Sequence, residues 1–556
     1  MFKILEVDLT NKRVLEDTIS QDYSKYLGGR GLAVRLFTDL MGSNVEPLSP
    51  ENMIIFSTGA LINSKIPMSG RSNATTISPL TNTIFSSNVG GMFGKNLTST
   101  GFDVLVISGS SEEPLYLVMD KKSQLENAKK LWGKDVFQST EYLIKKHGVS
   151  EGNCAVIGPA GENQNFFGNI MVQRHRAFGR GGLGAVLGSK RLKAIVFKGK
   201  QKRTEPKFKD MAKRLRDKVA KIDSKLKTQG TSTIVNTANK NEAFPTRFYV
   251  TNKFKYAGNI NGNKMETHKV KSGTCYSCPV ACKMITKSEK YDIVTDGPEY
   301  ETIVFFGSNL GMSNLDSIIK SNDLCDRFGL DTISTGAIIG AFIETVKKKK
   351  RKYKISWDDE KKVHELIVKI ANTRGVGREL QKGTDAFCKK YGIKAQTVKS
   401  LDVPGHDPRA LHGQALSYAV SNRGADHLYS TTYKDEYNHP KRREIKGKAK
   451  LVIRNENRNA VLDSLGLCKF STSFYKDDDY LEIMSVLLER DVNMEEFQKI
   501  GSEIVNRERT FNNKRDFDSK DDILPKRLDN PNLKKGLAEY YKLRGWSKDG
   551  RVKEEK

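Results

Sequence analysis

The chain has 556 residues, of which 37% are hydrophobic and 29% charged, and its formal net charge is +28. This length allows two to four domains with their own cores. No apolar run reaches the roughly 18 residues of a membrane span, and the N-terminus lacks the segments of a signal peptide. We therefore expect a cytoplasmic protein.

The excess of positive charge includes two basic stretches, residues 347–352 and 441–450. Such stretches are usually solvated surface, although they could also attract an acidic protein or nucleic acid. No helix-turn-helix, RNP or zinc-finger pattern is present, so we expect no nucleic-acid partner. An acidic protein is the partner that fits best.

The first 203 residues have the pattern of short strands separated by glycine-rich turns. Alternation in residues 2–9 predicts a strand, a turn is predicted at residues 10–12, and a partner strand begins at Arg13. Further short apolar runs predict strands at residues 53–57, 103–108, 115–119, 155–157 and 194–197.

The pattern changes to helical periodicity after Lys202. Helices are predicted at residues 207–227, 314–328, 336–347, 360–372, 463–468, 478–488 and 494–511. We therefore predict an α+β fold with a β-rich N-terminal domain (1–203) and two mostly α-helical domains (204–398 and 399–556).

Four of the seven cysteines form one pattern, Cys275-x2-Cys278-x3-Cys282 with a distant Cys468. Four thiolates so arranged could bind an iron–sulfur cluster. Structural zinc is the main alternative, although zinc ribbons pair two C-x2-C knuckles; unligated structural thiols, or a C-x2-C disulfide that leaves Cys282 spare, are also open. We expect the isolated Cys154 and Cys325 to be buried.

A short motif, D-x-x-G-L-[D/C], occurs at residues 326–331 and again at 463–468. Glycine suits the left-handed residue that ends a helix, which places Asp326 and Asp463 in the last helical turn. A carboxylate opposes the helix dipole there, but it could accept hydrogen bonds from an amine-bearing ligand. Two unrelated helix ends are the simpler alternative.

Many collinear motifs together resemble the family of tungsten-dependent aldehyde:ferredoxin oxidoreductases over nearly the whole chain. They lie at residues 26–33, 47–52, 70–73, 78–81, 88–94, 158–163, 175–190, 297–301, 329–335, 524–527 and 540–546. The resemblance implies tungsten or molybdenum held by two pterins, one [4Fe–4S] cluster and no protein side chain on the metal. It also implies an N-terminal domain that forms the base for the bis-pterin cofactor.

The resemblance also implies the site residues. The cluster ligands would be Cys275, Cys278, Cys282 and Cys468, and backbone carbonyls of Asn88 and Ala177 would bind a Mg²⁺ that links the pterin phosphates. Arg71 would lie between cluster and pterin. The remaining cofactor contacts implied are Asn88, Gly90, Arg176, Ala177, Gly179, Asp326, Asp331, Asp463, Leu467 and Cys468.

For catalysis the resemblance implies Glu301 as a proton acceptor and His427 as the residue that positions a small aldehyde. The expected reaction oxidises an aldehyde with water to a carboxylic acid and passes electrons through the cluster to an acidic ferredoxin. The alternative is a same-cofactor reductase of carboxylic or activated aromatic acids that works with partner subunits. Genomic neighbours encoding such subunits would favour it.

Two positions depart from the family pattern. The family prototype has a dimer-bridging iron held by a glutamate and a histidine; His364 matches the histidine, but Lys320 stands in place of the glutamate. A lysine cannot replace a carboxylate ligand, so we expect no interface iron, and a homo-oligomer is expected only without it. Tyr429 stands where the prototype has a lysine.

Overall fold

A computed structural model describes residues 2–553. Its N-terminal part is built on two six-stranded sheets, and the first has the strand order β2-β1-β6-β3-β4-β5. All its neighbours are antiparallel except β1 and β6. The strands are β1 (Phe2–Asp8), β2 (Arg13–Ile19), β3 (Ile54–Thr58), β4 (Ser72–Ile77), β5 (Ile84–Val89) and β6 (Val104–Ser108).

The second sheet has the order β11-β10-β9-β12-β7-β8. Its strands are β7 (Leu115–Met119), β8 (Gln124–Asn127), β9 (Cys154–Ile157), β10 (Ile170–Val172), β11 (Arg176–Phe178) and β12 (Leu192–Phe197). An aromatic cluster joins the two sheets: Phe56 and Phe93 each pack against Phe178, at ring centroid distances of 5.5 and 5.1 Å. Edge-to-face packing of this kind adds to the stabilisation from apolar burial.

Five helices cover these sheets: α1 (Gly29–Leu40), α2 (Phe93–Ser99), α3 (Val136–His147), α4 (Pro159–Glu162) and α5 (Leu183–Ser189). The strands predicted from alternation and apolar runs are all present. Strands β4, β5, β8, β10 and β11 were not predicted. In β4 and β5 the Ser, Thr and Asn side chains are nearly all buried and show no alternation.

The rest of the chain is mostly helical, which confirms the predicted α+β class. The first half contains α6 (Lys209–Lys221), α7 (Lys225–Gln229), α8 (Ile234–Lys240), α9 (Gly262–Glu266), α10 (Tyr300–Phe306), α11 (Leu315–Phe328), α12 (Thr332–Lys347), α13 (Glu360–Ala371), α14 (Gly377–Leu380) and α15 (Thr384–Tyr391). It also holds a small antiparallel sheet of β13 (Lys269–Gly273), β14 (Lys283–Ser288) and β15 (Ile293–Asp296).

The second half begins near a two-stranded ladder, β16 (Thr397–Val398) and β17 (Leu401–Asp402). Its helices are α16 (His412–Val420), α17 (Tyr433–Glu436), α18 (Lys448–Leu465), α19 (Asp477–Leu488), α20 (Met494–Asn513) and α21 (Leu533–Arg544). The helix predicted at residues 463–468 is instead the last turn of α18, which ends before Gly466. The domain boundaries near residues 203 and 398 stay predictions. Among the described helices, none is both long and apolar enough to cross a membrane.

The two D-x-x-G-L motifs end helices in the same way. Gly329 comes directly after α11 with φ of 71°, and Gly466 comes directly after α18 with φ of 80°. Both values lie in the left-handed region that favours glycine. Asp326 and Asp463 therefore lie in the last helical turns, as predicted.

Each motif contacts a different sheet region. Gly329 carbonyl oxygen accepts a hydrogen bond of 2.7 Å from Asn169 N–H, beside β10. Gly466 carbonyl oxygen accepts one of 3.0 Å from Arg71 N–H, at the start of β4. The two helix ends thereby bring their carboxylates to one cavity between the sheets and the helical part.

Candidate active site

A cavity of about 350 Å³ lies where the two sheets meet the helical part. Residues from β5, β11, α10 and both D-x-x-G-L motifs line it. Of the residues implied by the family resemblance, it brings together Arg71, Asn88, Gly90, Arg176, Ala177, Gly179, Glu301, Asp326, Asp331, His427, Asp463 and Cys468. The side chain of Leu467 does not line it and packs in an apolar cluster instead.

The cavity wall carries buried polar atoms with no hydrogen-bond partner in the described structure. Donors and acceptors both occur: Asn88 Nδ2, Asn169 Oδ1, Arg176 Nη2, Asp296 Oδ1, Glu301 Oε1, Arg423 Nε, His427 Nδ1 and Tyr429 Oη. Each such group costs about 1–3 kcal/mol if it stays unpaired. A polar ligand with many donors and acceptors, such as a phosphorylated pterin, fits this wall.

The first motif supplies Asp326 and Asp331. Asp326 shares a 3.0 Å hydrogen bond with His175 Nδ1, and burial raises the pKa of Asp326 to about 6. Asp331 begins α12 by accepting the Ile333 N–H at 2.9 Å, and its other oxygen lies 3.3 Å from Arg180 Nε. Asp331 is thus both a helix cap and part of the cavity wall.

The second motif supplies Asp463 and Cys468. Asp463 Oδ1 forms an ion pair with Lys469 Nζ at 2.7 Å, and Asp463 Oδ2 lies 3.6 Å from Arg30 Nη1. Arg30 is itself buried and paired with Glu508 at 2.7 Å. This carboxylate is therefore held between two cations at the edge of the cavity.

Arg71 joins the cysteines to the cavity. Its guanidinium donates to Asn88 Oδ1 at 3.0 Å and lies 3.6 Å from Cys468 Sγ. Burial opposes its charge, but the neighbouring Cys468 and Cys275 raise the pKa of Arg71 overall. Gly90 allows close approach here, because a Cβ at that position would lie 3.0 Å from Cys275 Sγ. Arg71 therefore lies between Cys468 and the cavity wall, and its role between a cluster and a pterin stays a prediction.

The pair implied for Mg²⁺ lies on strands of the two different sheets. Asn88 is in β5 and Ala177 is in β11, and both line the cavity beside Arg176 and Gly179. Arg176 Nε lies 3.8 Å from Asp296 Oδ2. That the backbone carbonyls of Asn88 and Ala177 bind Mg²⁺ stays a prediction.

The four predicted cluster cysteines are free thiols and partly exposed. Burial, with a smaller effect of the neighbouring Cys468 and Cys275, raises the pKa of Cys278 to about 11. Burial also raises the pKa of Cys282, with help from Glu299 and, to a smaller extent, from Cys468 and Cys275. Cys468 Sγ lies 3.6 Å from Arg71, and Cys275 Sγ lies beside Gly90, which the same arginine approaches. Cys154, Cys325 and Cys388 are buried elsewhere, as expected for the first two.

Within residues 2–553, no group of three or more His, Cys, Asp or Glu side chains is arranged to hold a single metal ion. A four-iron cluster does not need such convergence, because each thiolate binds a different iron atom. The thiols and their half-exposed loop fit a cluster of that kind.

Glu301, in the first turn of α10, is the central carboxylate of the cavity. Its Oε2 accepts the Gly405 N–H at 2.8 Å, and its Oε1 lies 3.8 Å from His427 Nδ1. Burial raises the pKa of Glu301 to about 8 and lowers that of His427 to about 4. A base that titrates near neutral pH therefore lies beside a neutral imidazole.

Residues that were not predicted from the sequence also contribute to the site, among them His406, Arg423 and Asp426. His406 Nε2 lies 3.6 Å from Glu301 Oε1. Arg423 pairs with Asp426 at 2.6 Å and thereby keeps the pKa of Asp426 below its usual range despite burial. No motif or periodicity indicates them, because they lie in loops that reach the cavity only through the fold.

The structure shows the surroundings of both residues that depart from the family pattern, Tyr429 and Lys320. The Tyr429 ring lies between the guanidinium groups of Arg30 and Arg423, at 3.7 and 4.1 Å, and lines the cavity. Lys320 lies close enough to His364 to reinforce the effect of burial in lowering its pKa. A cation therefore occupies the neighbourhood of this histidine, and the absence of an interface iron stays a prediction.

Comparison with known proteins shows the family to which the chain belongs. The N-terminal domain model of aldehyde ferredoxin oxidoreductase matches residues 4–199, and the model of domains 2 and 3 matches residues 208–556. The chain belongs to the aldehyde ferredoxin oxidoreductase family, which confirms the resemblance and makes the protein an oxidoreductase.

Relatives within the family are similar over the whole chain. The tungsten-containing aldehyde ferredoxin oxidoreductases of Pyrococcus furiosus and Thermococcus kodakarensis are 36% and 37% identical, over 100% of this chain and 97% of each relative. The WOR-like subunit of an aliphatic sulfonate oxidoreductase from Pyrococcus furiosus is 30% identical over 76% of this chain and 74% of its own.

Among solved structures, the fold is similar to the active site complex of benzoyl coenzyme A reductase in complex with 1,5-dienoyl-CoA. The TM-score is 0.87 at 22% identity, over 99% of this chain and 95% of that one. This similarity concerns the fold.

Proposed function

We propose that this protein is a tungsten-containing enzyme that oxidises an aldehyde with water to a carboxylic acid and passes the electrons to ferredoxin. The observation that carries the proposal is Glu301, a buried carboxylate whose pKa is raised to about 8, beside His427 in a cavity that is also lined by Cys468, one of the four predicted cluster cysteines. The similarity to two tungsten-containing relatives over the full chain supports the choice of reaction.

The cavity residues would hold a tungsten bis-pterin. Asp326, Asp331 and Asp463 offer carboxylates to the amine groups of the pterins, and Arg176 offers an unpaired Nη2 to a phosphate. The cofactor would supply the two-electron redox step. Cys275, Cys278, Cys282 and Cys468 would hold a [4Fe–4S] cluster, and the carbonyls of Asn88 and Ala177 would bind Mg²⁺, which prefers oxygen ligands.

The protein's own groups would bind the substrate and move its protons. Glu301, as a carboxylate, takes a proton from the water that adds to the aldehyde. His427, neutral above about pH 4, donates a hydrogen bond to the aldehyde oxygen through one ring nitrogen. Arg71 fixes a positive charge between the cluster thiols and the pterin site, which stabilises the reduced cluster.

The proposal includes a cytoplasmic enzyme with an acidic ferredoxin as its electron acceptor. The net charge of +28 favours association with an acidic partner. A homo-oligomer, if formed, would lack the interface iron, because Lys320 replaces a carboxylate ligand.

The experiment is Glu301→Gln in protein purified without oxygen, assayed by dye reduction with simple aldehydes. Turnover should fall by at least about a hundredfold, because the amide cannot accept a proton. Tungsten and iron contents serve as the control and should match wild type. Unchanged turnover would remove Glu301 as the base, and reduction of carboxylic or aromatic acids without aldehyde oxidation would replace the proposed reaction.

A further inference from the structure

The loop that carries Cys275 and Cys278 lies against positively charged side chains. Between these two cysteines, Ser277 donates its hydroxyl to the Lys65 carbonyl oxygen at 2.9 Å and accepts a hydrogen bond of 3.2 Å from Arg216 Nη2. Lys65 and Arg216 are both exposed. A partner protein that contacts this loop would therefore contact both cations as well.

Tyr276 brings a third cation to the same loop. Lys95 Nζ lies 5.7 Å from the centre of the Tyr276 ring. The hydrogen-bond acceptors of Lys95 are neutral: Asn63 Oδ1 at 3.2 Å and the Arg203 carbonyl oxygen at 3.3 Å. Burial lowers the pKa of Lys95, and the positive charges of Arg203 and Lys65 lower it further. The three cations therefore lie close together beside the loop.

Helix α6 continues this positive charge over the surface outside the thiols. Its buried face belongs to the apolar cluster against which three of the four predicted cluster cysteines pack. Its opposite face is exposed at Lys209, Lys213 and Arg216, which are spaced i, i+4 and i+7 and so form one stripe. The stripe reaches the loop where Arg216 contacts Ser277. We use the name positive patch for the five cations Lys65, Lys95, Lys209, Lys213 and Arg216.

The charge of the positive patch is largely uncompensated within the protein. Two other basic residues of α6, Arg214 and Lys218, form ion pairs with carboxylates of α19. Among the described side chains, none of the five patch cations forms an ion pair. The acidic residues of α6, Asp210 and Asp217, are also exposed but are outnumbered by the basic ones. Unpaired like charges repel one another, so this face should attract a negatively charged partner.

We propose that the positive patch is the docking surface for an acidic one-electron carrier protein of the ferredoxin class; this rests on the proposed function. The carrier would cover Tyr276 and Ser277, which lie between two of the cluster cysteines, so that its own iron–sulfur centre approaches the enzyme's cluster. In each docking event one electron passes from the reduced cluster to the oxidised carrier. Two carriers therefore accept the two electrons that one aldehyde and one water release, together with three protons, on conversion to a carboxylate.

A protein partner fits this face better than a nucleic acid does. Tyr276 is partly exposed among the cations, and aromatic residues together with arginine are enriched in protein interfaces. Electron-transfer complexes bury less than about 1,200 Å² in total, so one loop and one helix face provide enough surface. Complementary charge on the carrier would mainly increase its rate of association.

Two matched charge-reversal variants test the docking surface. Lys65→Glu/Lys213→Glu reverses two exposed cations of the positive patch. Lys352→Glu/Lys354→Glu makes the same change of net charge at two exposed lysines that follow α12 and lie outside the patch. Both variants should oxidise an aldehyde at the wild-type rate when a small uncharged quinone dye accepts the electrons, because such a dye needs no charged docking surface.

The holoenzymes are then compared with a purified acidic [4Fe–4S] ferredoxin as the electron acceptor. At about 20 mM salt, kcat/KM for the ferredoxin should fall about tenfold in Lys65→Glu/Lys213→Glu and less than about twofold in Lys352→Glu/Lys354→Glu. The difference between the variants should disappear at about 0.5 M salt, because charges are then screened over a few ångströms.

A second readout does not depend on the aldehyde. The cluster of each holoenzyme is reduced chemically, the reductant is removed, and the enzyme is mixed with the oxidised ferredoxin. Stopped-flow absorbance then follows reoxidation of the cluster. The second-order rate constant at about 20 mM salt should be about tenfold lower in Lys65→Glu/Lys213→Glu and close to wild type in Lys352→Glu/Lys354→Glu.

The outcomes separate the two proposals. If no aldehyde reduces the cluster of the wild-type enzyme, the proposed reaction fails, and the reoxidation experiment still decides whether the patch docks the carrier. Equal losses in the two variants would show that total charge attracts the carrier, which would overturn the docking surface. An equal loss with dye and with ferredoxin in Lys65→Glu/Lys213→Glu would overturn it as well. So would binding of a DNA duplex that this variant weakens while its electron transfer to ferredoxin stays at the wild-type rate.

Discussion

The two D-x-x-G-L motifs share a backbone conformation but differ in the residue after the leucine. Both end a long helix at a left-handed glycine, and both place an aspartate on the cavity wall. Asp331, which ends the first motif, caps the next helix. Cys468, which ends the second, lies 3.6 Å from Arg71. The same turn thus serves a carboxylate site in one place and a thiol site in the other.

The two motifs pack against the N-terminal part in the same way. The second motif meets Gly59, where an added Cβ would lie 2.2 Å from the Gly466 Cα. The first motif meets Gly158, where an added Cβ would lie 2.3 Å from the Phe328 carbonyl oxygen. Each helix end therefore needs a glycine opposite it, and the pair holds the helical part on the two sheets. Local sequence similarity here reflects two equivalent contacts with the N-terminal part.

The largest effect is expected from removing the thiol that distinguishes the second motif. Cys468→Ser should lower cluster iron and reduce ferredoxin-linked turnover by more than about a hundredfold, since loss even of outer contacts costs ten- to a hundredfold. Cys388→Ser, at a buried thiol outside the site, is the control and should keep its iron. Iron content equal to wild type in Cys468→Ser would exclude this cysteine as a ligand.

A smaller effect should distinguish the two terminating glycines. Gly466→Ala should lower the free energy of unfolding by about 3 kcal/mol, because a Cβ there is strained and would lie 2.8 Å from the Arg71 carbonyl oxygen. Gly329→Ala should cost about 1.5 kcal/mol, since its nearest contact would be 3.1 Å. Chemical denaturation measures both, and a larger loss for Gly329→Ala would contradict this ranking.

The smallest expected effect is on the pH dependence of turnover, where only the first motif should change the pKa of Glu301. Burial raises the pKa of Glu301 to about 8, so its base form increases as pH rises through 8 and turnover should rise with it. The negative charge of Asp331 contributes to the raised pKa of Glu301. Asp331→Asn should therefore shift the acid limb of the pH profile of kcat/KM to lower pH by less than about 1 unit. Asparagine preserves the helix cap. Asp463→Asn is the matched control, and an equal shift in it would refute the assignment.

The sequence predicts a helix or strand well when one face of that element is buried and the other is exposed. Alternation in β1 and periodicity in α11 reflect such burial directly. The start of α18 was missed because Asn455, Glu456 and Asn457 are buried polar residues within it. These side chains bond to other elements, so their burial leaves no apolar period.

The site was predictable only in part. The four cysteines and the repeated motif are visible as local patterns, and the family resemblance supplied Glu301, His427 and Arg71. His406 was not visible, because its link to Glu301 depends on the loop whose Gly405 N–H contacts a carboxylate 104 residues earlier. Sequence patterns cannot indicate such a contact, because nothing in the local spacing records it.

The central claim is that one cavity joins a tungsten–pterin site to a four-thiol cluster site. Elemental analysis of protein purified without oxygen tests it most directly. The expected result is about one tungsten and about four iron atoms per chain, with the iron falling and the tungsten largely retained in Cys468→Ser. Zinc in the absence of iron and tungsten would contradict the account.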